Sequence, residues 1–97
     1  MTYISGPMTE IEDNNRAAFM RADDMIRKTD KVFNPALVSL PAGASWENYM
    51  RFDITGLMLC DSIYMLKGWQ KSRGAKIEHE LAIALDMKIY YQVDEYA

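Results

Sequence analysis

The chain predicts an α/β fold: a three-layer α/β/α domain, Rossmann-like in the flavodoxin-like manner, with a parallel sheet of four to five strands. Short β-prone runs alternate with segments of helical period in the order β-α-β-α-β-α-β. That alternation favours a parallel sheet with right-handed crossovers and helices on both faces. The length of 97 residues suffices for one shared core and leaves no room for a second domain, so residues 1–97 read as a single domain.

The first element is "MTYIS", a β-prone run stopped at Gly6 and Pro7. Thr9 followed by Glu12 is a capping-box pattern, and Ala18, Phe19, Ala22, Met25 and Ile26 then recur at helical spacing, predicting a first helix over about 10 to 29. "KVFNP" reads as a brief second strand ended by Pro35, because the residue before proline is pushed to extended geometry. "ALVSLPAGAS" has no sustained period and reads as a loop. Ser45 can cap a second helix with Met50, Ile54, Leu57 and Met58 on one face and Arg51 and Asp53 off it. "DSIYMLKGW" reads as a buried third strand. Ile77, Leu81, Ala84 and Leu85 mark a third helix, and "MKIYYQV" a fourth strand.

Composition narrows the function. A net charge of −3 and no run of Lys or Arg argue against a dedicated nucleic-acid binder, which needs a basic stripe to neutralise phosphates. A small nucleotide stays open, because backbone amides can hold a phosphate. Cys60 is the only cysteine, so a disulfide framework and a cysteine-based zinc site are both excluded. No stretch approaches the roughly 18 apolar residues of a membrane helix, and the N-terminus lacks signal-peptide features. The expectation is a cytoplasmic protein without a membrane partner.

In parallel α/β sheets ligands bind beyond the carboxyl ends of the strands, in the crevice where strand order reverses. The loops to inspect are therefore "SGPMT", "NPALV" and "KGWQKSRG". In the first, Gly6 allows close backbone approach, and the amides of a following helix start attract anions; an ordinary strand-to-helix turn would look the same. In the third, Ser72 and Gly74 open the last helix in the same way. Glu78, one turn in, sits near the edge of the apolar stripe and can reach over the strand ends, although a glutamate there also serves the helix dipole. Glu80 and His79 fall off the stripe and read as surface residues. Asp53 has poor helix propensity for an interior position; its plain alternative is an ion pair with Arg51 or a lysine. Asp61 reads as a turn residue and Cys60 as a small core residue. Trp46, Trp69 and the eight methionines read as core or pocket wall.

Three segments, "YISGP", "MRFDITGLMLCDSIYML" and "SRGAKIEHELAIAL", resemble the nucleoside 2-deoxyribosyltransferase superfamily, which includes the 2′-deoxynucleoside 5′-monophosphate N-glycosidases. Almost the whole chain is similar to a small family common in phages and prophages. The resemblance implies that Tyr3, Ile4, Ser5 and Gly6 end the first strand in a phosphate loop continued by Pro7 and Met8. It also implies that Asp53 with Leu57 matches an aspartate helix motif, and that Ser72, Gly74, Glu78 and Ala82 match S-x-G-x-x-x-E-x-x-x-A. Glu78 would be the nucleophile, Asp53 the acid or sugar-orienting group, and Tyr3 the residue that orients Glu78 or the sugar. Ser72 with the Gly6 and Gly74 amides would hold a phosphate. The resemblance further implies no metal or organic cofactor, a nucleotide or nucleoside as the small-molecule partner, and a homodimer or higher homo-oligomer. If the chain is phage-encoded, its compartment is the host cytoplasm. Lys76 and Glu80 replace residues that are often small in relatives, and "GPMT" replaces a more basic, glycine-rich loop. Two other readings stay open: a non-catalytic nucleotide-binding or sequestering protein, and a structural or host-interaction protein that keeps only the fold.

Overall fold

A computed structural model describes residues 1–93. The strands are β1 (Thr2–Ser5), β2 (Val32–Phe33), β3 (Ser62–Met65) and β4 (Lys88–Tyr91); the helices are α1 (Arg16–Ile26), α2 (Trp46–Met58) and α3 (Arg73–Ala84). All strand pairs are parallel and the order is β2-β1-β3-β4. The sheet thus has four strands, and its order reverses between β1 and β3, where a ligand crevice is expected.

Side chains alternate along a strand, so β1 divides its residues between two layers. Ile4 packs with Phe19, Ala22 and Leu66 under α1. Tyr3 packs with Leu57, Ile63, Met65, Ala75 and Ala82 under α2 and α3. Ser5 shares the Tyr3 face, which directs both hydroxyls toward α3. Phe33, opposite Tyr3 in the β1–β2 register, stacks on it with ring centroids 5.4 Å apart.

Three features depart from the sequence reading. The first helix begins at Arg16, and no Thr9–Glu12 capping box forms; Glu10, Asp13, Asn14 and Asn15 instead take positive φ. Asn15 Nδ2 donates to the Pro7 carbonyl at 2.9 Å, tying this irregular segment to the end of β1. The second departure is in α2, whose buried positions include Met50 and Leu57 while Met58 is exposed. The third is in α3, which buries Ala75, Glu78 and Ala82 and exposes Leu85 and Ala84. On both helices the inward row has i, i+3, i+7 spacing with a carboxylate in its centre: Met50-Asp53-Leu57 and Ala75-Glu78-Ala82. The serine caps form as read, with Ser45 Oγ accepting from Asn48 N at 3.1 Å and Ser72 Oγ from Ala75 N at 3.2 Å.

Candidate active site

At the carboxyl ends of β1 and β3 lies a cavity of about 720 Å³, within the range of small-molecule sites. Tyr3, Gly6, Pro7, Met8, Asp53, Ser72, Gly74 and Glu78 all line it. Of the candidate catalytic and phosphate-holding residues, Ser5 alone is outside the lining; it is buried and its hydroxyl donates to Glu78.

Glu78 is 5% exposed, an expensive position for a carboxylate unless it is well partnered. Tyr3 Oη donates to Oε2 and Ser5 Oγ to Oε1, each at 2.6 Å. One strand thus fixes both carboxylate oxygens, because its period of two places Tyr3 and Ser5 on one face. Burial pushes the Glu78 carboxyl up to about 7, against the opposing pull of the two hydroxyls, which favour the ionised form. The Tyr3 phenol is driven well above its ordinary range, first by burial and then by the charge of Glu78. It therefore remains a donor.

Asp53 is partly buried from α2, and its Oδ1 is buried with no hydrogen-bond partner among the described residues. Burial and then the charge of Glu78 push it up to about 7. The ion pair with Arg51 is not made; Arg51 is exposed. Buried polar atoms are nearly always partnered within a fold, so this oxygen is an acceptor left open at the cavity wall.

Two glycines have steric reasons. A Cβ on Gly6 would lie 2.7 Å from Leu66 Cβ, so this position lets the loop after β1 cross the end of β3. A Cβ on Gly74 would meet Met50 Sδ at 3.0 Å, which records how closely α3 approaches α2 at the rim.

A family model described as a domain of unknown function (DUF4406) matches residues 1–91. The chain belongs to this family. No curated protein and no solved structure matches it. In this DUF4406 domain the two carboxylates face one cavity, and hydroxyls from β1 hold one of them.

Trp46 lines the cavity, one of the two places the sequence reading gave it. The cavity also contains residues to which that reading assigned no role: Arg16, Tyr49, Lys71 and Arg73. Lys71 lies in the connection after β3 and Arg73 opens α3 directly behind it, so topology alone points at them. Arg16 joins because the first helix starts six residues later than its capping pattern implies, and its Nη1 donates to the Ala36 carbonyl at 3.1 Å. Its basic charge reaches a site whose first loop has none.

His79 lies on the outer surface of α3 as expected, but it is half-covered there by aromatic neighbours. Its ring lies 4.1 Å from that of Trp69, and Nε2 is 2.7 Å from Tyr91 Oη, forming an aromatic cluster on the outer side of α3. Glu80 is exposed as expected. Cys60 is partly buried and burial raises its thiol to about 11, which disfavours the reactive thiolate. No group of three or more His, Cys, Asp or Glu among the described residues is placed to hold a metal ion. No helix among them is long and apolar enough to cross a membrane.

Proposed function

We propose that this domain cleaves or transfers at the N-glycosidic bond of a small nucleotide or nucleoside, as a member of the nucleoside 2-deoxyribosyltransferase superfamily. The observation that supports this most directly is the buried Glu78, held by Tyr3 and Ser5 and facing the same cavity as the unpartnered Asp53 oxygen.

The surroundings divide the roles. Two hydroxyls donate to Glu78, which favours its carboxylate; Asp53 receives no donor and feels the charge of Glu78, which favours its acid form. Glu78 then attacks the anomeric carbon, the C–N bond breaks with its electron pair leaving on the base nitrogen, and Asp53 supplies the proton the base needs. Water or a second base next displaces Glu78 from the sugar, and a proton returns to Asp53. This is the division of labour of retaining glycosidases, where one carboxylate forms the covalent intermediate and another moves the proton. The sequence requires no metal or organic cofactor. In this reading Ser72 and the Gly6 and Gly74 amides, which line the cavity, hold a phosphate, with Pro7 and Met8 beside them. A cytoplasmic setting and a homodimer or higher homo-oligomer belong to the same reading.

Incubating the protein with a panel of deoxynucleosides, ribonucleosides and their 5′-monophosphates, with chromatography of the free base, tests the proposal. Base is expected from at least one class, and Glu78→Ala is expected to bring release down to background while circular dichroism stays unchanged. If no member of the panel yields base, the enzymatic reading fails. Binding without turnover that survives Glu78→Ala would establish a nucleotide-binding protein instead.

A further inference from the structure

Arg73 is the first residue of α3 and Trp46 the first of α2, and both line the cavity rim. The Arg73 guanidinium lies over the indole face, 4.2 Å from the ring centroid. Stacking of this kind uses the guanidinium's face and leaves its in-plane N–H fork available. Among the described residues Arg73 makes no ion pair with a carboxylate, although Glu10, Asp13, Asp53 and Glu78 line the same cavity. Its fork is thus steered by an uncharged partner that does not compete for the N–H groups. Lys71 and Arg16 add two more exposed cations to the lining, which also holds the exposed Glu10 and Asp13, while the two inner carboxylates are the half-buried Asp53 and the buried Glu78.

From this we infer that Arg73, positioned by Trp46, is the specificity determinant that selects substrates bearing a phosphate monoester on the sugar. This rests on the glycosidic reading above and specifies its substrate class. Three oxygens of a phosphate monoester suit a planar fork, whereas a free hydroxyl offers a single acceptor and no charge. Asp53 and Glu78 at the floor repel an anion, so a substrate turns its anionic end outward to Arg73 and its neutral glycosidic bond inward. A nucleoside lacking the phosphate gains none of this orientation.

The test is the ratio of kcat/KM for a deoxynucleoside 5′-monophosphate to that for the matching nucleoside. Arg73→Met is expected to lower the ratio by about 10- to 100-fold, the equivalent of losing a charge-assisted hydrogen bond. Arg73→Lys is expected to recover only part of it, because a lysine ammonium has neither the fork nor the stacking plane. Trp46→Phe should keep the ratio near that of the parent and Trp46→Ala should lower it, the pattern of a positioning residue. A ratio that stays within about twofold in Arg73→Met overturns the inference while leaving the glycosidic reading intact. If no substrate is cleaved, calorimetry with the same monophosphate decides: loss of affinity in Arg73→Met supports the inference without the reaction. Equal affinity in both proteins, or binding by neither, overturns it.

Discussion

Replacing Glu78 by glutamine should make the fold more stable above neutral pH, at the expense of any chemistry the site performs. The Glu78 carboxyl titrates near 4.5 when free and at about 7 in the fold, because burial outweighs the two hydroxyl donors. Between those values the native state keeps a proton that the unfolded chain has already released. Stability therefore falls as pH rises through this window, and the loss is complete once the pH exceeds the folded value. The interval corresponds to about 3 kcal/mol at roughly 1.36 kcal/mol per unit. Glutamine is nearly isosteric, cannot ionise, and still faces hydroxyls of Tyr3 and Ser5 that can donate or accept. At pH 4.5 the variant should match the parent; at pH 8 it should exceed it by about 3 kcal/mol, where each kcal/mol moves Tm by roughly 4 to 8 °C in a domain of this size. Asp53 adds to the gain, since the charge of Glu78 helps raise its own titration. Urea unfolding at pH 4.5, 6 and 8 measures the effect. A Glu78→Gln protein that is less stable than the parent at pH 8, or a parent whose stability is flat across the window, refutes the argument that a buried, partly compensated charge sits at the cavity floor.

Tyr3→Phe removes the 2.6 Å donor to Oε2, so the acid limb of the kcat/KM profile should move up by about 1 to 2 units, the worth of a hydrogen bond to a charged group. Asp53→Asn should lower turnover by about 10² to 10⁴ and remove the alkaline limb set by that acid, as read from a pH–rate series. The two rim glycines should respond differently to alanine. Gly6→Ala presses on the Leu66 Cβ, which cannot swing away, and should cost about 1 to 3 kcal/mol in urea unfolding. Gly74→Ala meets the movable Met50 thioether and gains helix propensity, so its stability should stay within about 1 kcal/mol of the parent.

Element order, the parallel sheet and the serine caps were legible because each has a local cause: hydropathy period, a proline or glycine stop, a side-chain oxygen before a helix. Topology then located the cavity, since strand order reverses at β1 and β3 and the rule about carboxyl ends does the rest. The start of α1 was not legible. Thr9 and Glu12 have the right spacing for a box, but the backbone from Glu10 to Asn15 is given to a wall of the cavity, with left-handed residues at Glu10, Asp13, Asn14 and Asn15. Arg16 reached the site through this irregular path, to which periodicity is blind.

The helix faces were misjudged for a more informative reason. Hydropathy placed the stripe of α3 on Ile77, Leu81, Ala84 and Leu85, yet the centre of the inward face is Ala75, Glu78 and Ala82. Small residues allow α3 to lie close to the sheet, with Ile77 and Leu81 half-buried beside the contact and Ile83 and Leu85 left 58% and 54% exposed. A pattern that scores apolar bulk cannot see a face made of two alanines and a charge. The same holds in α2, where Asp53 lies between Met50 and Leu57. For stability alone, leucine at both centres would be favoured over a carboxylate held near neutrality by burial. Two helices that each place an acid at the middle of the inward row, both facing one cavity, have a local conflict with the fold that stability does not explain. Such conflicts are expected where function sets the residue, and here both fall on acids that line the same cavity at the carboxyl ends of β1 and β3.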